Sequence, residues 1–147
     1  MRKYSRLVTA FAAVAAIATA APAHAQTEVH LIARVPFAFA VGEASLPSDT
    51  YRLSRMNDHR EVLLLRGDRT GAIVYTNEVK LPRKDRPPSL VFHRYGDQYF
   101  LREIQWEDTS RLALPETKAE RNAAEIRANR AAVRMETVTV VAARPGR

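Results

Sequence analysis

The stretch "SLVFHRYGDQYFLREIQW", residues 89–106, decides how the chain is read. Two apolar runs flank Gly96-Asp97, and a two-residue loop with glycine first suits the type II′ turn of a β-hairpin. That turn sets a register in which Tyr95 opposes Gln98, Arg94 opposes Tyr99, His93 opposes Phe100 and Phe92 opposes Leu101. One face then carries Leu90, Phe92, Arg94, Tyr99, Leu101 and Glu103. The other carries Val91, His93, Tyr95, Gln98, Phe100, Arg102, Ile104 and Trp106. Both faces are largely apolar, so the hairpin is expected in the middle of a sheet with something packed on each side.

Upstream, "EVHLIARVPFAFAV" (28–41) places apolar residues at every odd position from Val29 to Val41. This is the period of a strand with one buried face. Pro36 falls on the opposite register and lacks a donor, so this strand lies at an edge or bends there. "GEASLPSDT" reads as turn formers, and "YRLSRM" as a second strand with Tyr51 and Leu53 alternating against Arg52 and Ser54. "EVLLLR" suits a central strand. "GDRTG" turns the chain and "AIVYTNEV" forms a fourth strand, before a charged, proline-rich connection "KLPRKDRPPS" leads to the hairpin.

The pattern changes after Trp106. "PETKAERNAAEIRANRAAVR" (115–134) has no glycine and opens with proline, and Thr117 with Glu120 fits capping-box spacing. Ala119, Ala123, Ile126 and Val133 make a thin apolar stripe interrupted by Arg130, a weak reason for a helix to dock. Val138, Val140 and Val141 then suggest a short last strand. The expected fold is mainly β: a small antiparallel β-sandwich or barrel with one late α-helix (115–134) and a short C-terminal strand.

The N-terminus reads as an address rather than as structure. Arg2, Lys3 and Arg6 precede an apolar run from Leu7 to Ala21, and Ala23-His24-Ala25 follows. These are the three parts of a secretory signal peptide, with cleavage expected between Ala25 and Gln26 by the general secretory route. The apolar run is too short to span a bilayer, which takes about 20 residues. Removing residues 1–25 lowers the basic count from 23 to 20 against 16 acids, so the net charge drops from +7 to +4. That charge is ordinary for solubility, and with export it argues against nucleic acid as a partner. The expected organisation is a signal peptide (1–25) and one β-rich domain (26–147), with its core in 28–107 and a helix and terminal strand in 115–143. The location is periplasmic or extracellular, with no transmembrane span after cleavage. The chain has no cysteine, so disulfides, a thiol nucleophile and a lipid-anchored N-terminus are excluded and stability must come from an apolar core.

Few motifs survive scrutiny. His30, His59 and His93 have no partner at metal-ligand spacing, and no Gly-x-Ser-x-Gly elbow or phosphate-cradling glycine loop occurs. No catalytic residue, metal or cofactor is indicated. Arg66-Gly67-Asp68 spells an adhesion tripeptide but equally a hairpin turn. Leu114-Pro115-Glu116-Thr117 resembles a wall-sorting motif, but Lys118 replaces the glycine that motif requires. At the hairpin, His93, Arg94, Tyr95, Asp97 and Tyr99, with Trp106, form the candidate contact cluster, able to grip a small anion or sugar. The structural alternative makes Arg94–Tyr99 a cross-strand cation–π pair, His93 a satisfied half-buried histidine and Asp97 turn chemistry. Arg127, Arg130 and Arg134 share a helical face by spacing and are the candidate contact for an anionic surface, either envelope polymer or lipid headgroups.

"VPFAFAVGEASLPSDTYRLSR" (35–55), "VFHRYGDQYFLREIQW" (91–106) and "LPETKAER" (114–121) together resemble a family of small exported bacterial proteins of uncharacterised function. That family shares a Val-Pro-Phe-x-Phe-x-Val-Gly opening, a Leu-Pro-x-x-Thr-Tyr turn and the Phe-His-x-Tyr-Gly-Asp-x-Tyr-Phe-Leu hairpin. The resemblance implies export and a β-rich fold and carries no catalytic residues. Asp49 stands where family members often have glycine, so that turn is expected to differ. The function expected is a non-enzymatic, envelope-associated binding or structural module, whose partner is an envelope protein, a polymer or a small ligand. One alternative is a carrier with an apolar ligand inside a barrel lined by Phe37, Phe39, Phe92, Phe100 and Trp106. Another is a hydrolase of unrecognised type.

Overall fold

The alternating run at 29–41 becomes two strands, because Pro36 breaks it. In the computed structural model, which describes residues 29–56, 61–80, 86–107, 110–129 and 134–146, the strands are β1 (Val29–Val35), β2 (Phe39–Val41), β3 (Ala44–Leu46), β4 (Asp49–Arg55), β5 (Val62–Arg66) and β6 (Gly71–Tyr75). They continue as β7 (Asn77–Lys80), β8 (Ser89–Tyr95), β9 (Gln98–Glu107) and β10 (Ser110–Ala113), then helix α1 (Lys118–Ala128), then β11 (Glu136–Ala143). The expected signal peptide, its Ala25–Gln26 cleavage site and Arg130 lie outside the described residues.

All strands join one barrel-like sheet that is nearly closed, in the order β3-β2-β9-β8-β11-β1-β4-β5-β6, with β10 between β9 and β7. Two corners make this possible. At Pro36 the chain leaves β1, paired with β4 and β11, and enters β2, which runs parallel to β9 through Ala40 opposite Phe100. At Thr76 the predicted fourth strand divides: β6 stays with β5, whereas β7 crosses to β10. Thr76 is buried, and its backbone N–H donates to the Glu61 carbonyl at 2.8 Å, which holds the corner. Strands that bend from one sheet layer into the other are the usual way to turn such corners.

The interior is built from the predicted alternations. Leu31, Ala33, Val35, Phe39 and Val41 from the first run point inward with Tyr51, Leu53, Leu63 and Leu65. Phe92 stands at the centre, edge-on to both Phe37 and Phe39. The hairpin adopts the predicted register from Tyr95–Gln98 to Phe92–Leu101, with Gly96 at φ +66°. Beyond Phe92 the register shifts: Val91 faces Glu103, leaving Arg102 as the extra residue of a bulge. Ile104 and Trp106 therefore move to the inward face with Leu90, a correction to the uninterrupted alternation.

Other expectations change as well. The segment read as turn formers holds β3 and the start of β4, and "SRLA" forms β10, a strand that local periodicity does not announce. Its Leu112 is fully buried, so the core extends past residue 107, and Ala142 of β11 belongs to it too. The helix is shorter than 115–134. Ala119 and Ile126 of its supposed stripe are exposed, and Val133 lies outside the described residues. Among the described residues, no helix is long and apolar enough to cross a membrane.

Candidate functional site

The outward face of the hairpin tip is where α1 docks, and it docks through charge as much as through apolar contact. Thr117 is the N-cap, its hydroxyl accepting the Glu120 N–H at 3.1 Å. The Glu120 carboxylate does not close a capping box; it turns to the sheet, where it is only 2% exposed. There Oε1 lies 3.0 Å from His93 Nδ1, and Oε2 accepts from Arg102 at 3.2 Å. Burial, and then the nearby Glu120 carboxylate, raise the Tyr95 hydroxyl above the ordinary tyrosine range, so it stays neutral beside Glu120. Around this polar knot Tyr95, Phe100 and Ala123 form a small second core flanked by Ala40 and Ala124. The docking face is thus Glu120, Ala123, Ala124 and Arg127, at helical spacing.

The six hairpin candidates are divided among separate surroundings. His93 and Tyr95 serve the helix contact. Arg94 lies on the other face, with its guanidinium 5.4 Å from the Tyr99 ring centroid, Nε donating to the Gly96 carbonyl at 2.6 Å and a second nitrogen 3.3 Å from Glu136. Tyr99 stacks on Phe37 at 3.9 Å. Asp97 is exposed at the turn. Trp106 is only 5% exposed, covered by the Arg55 guanidinium and tilted against His30, so it is no contact surface. Phe100 faces the helix and not the barrel interior, so the expected aromatic lining of a ligand cavity is not assembled.

The shared arginine face is also corrected. Arg127 is half-buried and lays its guanidinium directly over Gly96, in the space that a β-carbon would fill. Arg134 falls beyond the end of α1. Gly96 is therefore required twice, by its positive φ and by this close approach.

Beside the hairpin tip lies an open cleft of about 300 Å³. Phe39 and Phe100 lie buried beneath it, the half-exposed Tyr99 flanks it, Asp97 and Gln98 form the polar rim, and Ala38, Ala40, Ser45 and Ala119 are the small walls that leave the space. Its size sits at the lower end for small-molecule sites. Among the described residues, no group of His, Cys, Asp or Glu side chains is placed to hold a metal.

The Arg66-Gly67-Asp68 stretch is a loop device. Gly67 N–H donates to the Thr70 carbonyl at 2.8 Å, and a β-carbon on Gly67 would stand 2.6 Å from Asp49 Oδ2. Asp49 accepts the N–H groups of Thr50 at 2.7 Å and Asp68 at 2.8 Å, tying the β5–β6 loop to the start of β4. Asp49 thus anchors this loop. The Asp68 and Thr50 N–H bonds hold the Asp49 carboxyl below its ordinary 3.8. A depressed folded value means its contribution is complete above 3.8 and disappears as pH falls through the lower folded value. An NMR titration is expected to find the Asp49 midpoint below 3.8, and Asp49→Asn to flatten the acid limb of stability below about pH 4.

In comparison with known proteins, no family model, no curated protein and no solved structure matches this chain. The family resemblance therefore rests on its motifs.

Proposed function

We propose that this chain is an exported, non-enzymatic β-module that binds a sugar ring of an envelope polysaccharide in the cleft at the β8–β9 tip. The observation that carries the reading is the composition of that cleft: the half-exposed rim of Tyr99 beside an exposed carboxylate and amide from Asp97 and Gln98. Sugar rings present an apolar C–H face and hydroxyls at their rim, which this arrangement matches, and the Asp97 carboxylate disfavours an anion there. Export is supported by the three-part signature in residues 1–25. Of the hairpin cluster, His93 has its Nδ1 engaged with Glu120, whose other oxygen accepts from Arg102, so this pair serves to hold the helix.

The test is retention of the purified protein on isolated envelope polysaccharide. Asp97→Ala, or Ser45→Trp to fill the cleft, is expected to abolish retention at an unchanged melting temperature. Retention that survives both substitutions, or none by the unaltered protein, overturns the reading.

A further inference from the structure

A second surface carries an inference independent of the cleft. On the outer face of β4, β5 and β6, the ladder sets Arg52 directly opposite Arg66, Leu64 opposite Ile73, and Val62 opposite Tyr75. The apolar members of this face are left to solvent: Ile73 is 54% exposed and Tyr75 69%. At the basic end, Arg52, Arg66 and Arg69 surround an open depression of about 630 Å³ with Leu64 at its side. Asp68 is the acid there, meeting Arg52 at 3.7 Å with both side chains largely in water. Asp49, the neighbouring carboxylate, is engaged by backbone N–H groups.

Two features of this face cost stability and serve no contact among the described residues. Like charges directly opposite on an antiparallel pair repel, and against the Arg52–Arg66 pair stand one solvent-exposed ion pair, Arg52 to Asp68, and the weaker pull of Asp49 on Arg52 and Arg69. An isoleucine and a tyrosine side by side on an outward sheet face lose the burial that the same residues would gain inside. An external surface that is anionic at one level and apolar at the next removes both costs. We propose that the β4–β5–β6 face is a docking surface for an anionic lipid bilayer. Arg52, Arg66 and Arg69 meet lipid phosphates, and Tyr75 and Ile73 enter the headgroup boundary. Arginine pairs with phosphate through a planar fork of donors, and tyrosine suits a boundary that is wet at one end and apolar at the other. The charge complementarity selects a membrane over an uncharged protein groove, and the apolar strip selects it over a soluble polyanion.

The protein purified from its own cells is floated with vesicles of phosphatidylglycerol in phosphatidylcholine, and with phosphatidylcholine alone. Salt-sensitive partition to the anionic vesicles is expected. Arg66→Gln with Arg69→Gln is expected to lower it about 25-fold, roughly fivefold per arginine. Ile73→Ser with Tyr75→Ser is expected to lower it about tenfold or more at an unchanged melting temperature. Ser45→Trp, in the cleft, is expected to leave it unchanged, so failure here and failure of the sugar reading are distinguishable. The proposal is overturned by absent partition, or by partition indifferent to the two arginines. It is equally overturned if the arginines matter but Tyr75 and Ile73 do not, which assigns the face to soluble polyanions. A concentration-dependent dimer broken by Tyr75→Ser assigns it to a second copy of the chain.

Discussion

Phe92→Ala is expected to cost about 4 kcal/mol of folding stability, more than any other single truncation in the barrel interior. Phe92 is 0% exposed and meets Phe37 and Phe39 edge-on, at 5.1 and 5.2 Å between ring centroids. Phe92 comes from β8, Phe39 from β2 and Phe37 from the corner that follows Pro36, so nothing adjacent can close the void without moving that corner. A domain of this size has about 5–15 kcal/mol in total, so the variant should be partly unfolded near physiological temperature. Urea unfolding followed by Trp106 fluorescence measures it, because Trp106 is buried and is the one tryptophan. A loss below about 1.5 kcal/mol would mean that the interior is looser than these ring contacts imply.

Glu120→Ala is expected to be the second most damaging change, at roughly 3 kcal/mol. The cause is different: the substitution strands the Arg102 guanidinium and the His93 ring under a helix that no longer offers an acceptor. The figure is at the low end for a broken buried pair because His93 and Arg102 keep 26% and 22% exposure and some access to water. Hydrogen exchange should show residues 118–128 opening before the barrel strands, since the helix rests on the sheet mainly through this knot and the Tyr95–Phe100–Ala123 contact. Replacing Glu120, His93 and Arg102 together by leucine should recover most of the loss, as removal of a whole buried ionic group usually does. Uniform protection across 118–128 in Glu120→Ala would refute this mode of docking.

What could be read from the sequence, and what could not, follows from the range of the forces involved. The run from Val29 to Val41 was legible because strand periodicity is a local property, and Pro36 announced its own corner. The hairpin register was legible because a glycine-first turn leaves few alternatives. The Arg102 bulge was not, since it depends on β10 pairing at the far end of β9, and one extra residue moved Ile104 and Trp106 inside. The helix face was misread for a related reason. A search for an apolar stripe passes over Glu120 and Arg127, whose burial makes sense only once His93, Arg102 and Gly96 are brought opposite them. Thr117 and Glu120 did signal the helix start, but the spacing says nothing about where the carboxylate goes. The arginines of β4, β5 and the β5–β6 loop are scattered along the chain and gather only across the ladder.

The position of β11 between β8 and β1 bears on how the molecule is made. Ala33 finds its partner in Ala142, so the stave that joins β8 to β1 is made after both of its neighbours. Until it arrives, two neighbouring strands present bare amide and carbonyl rows, which invite pairing with other chains. A nascent polypeptide is thereby kept open and unsafe to release early, so chaperone protection matters most in the interval before residues 136–143 emerge.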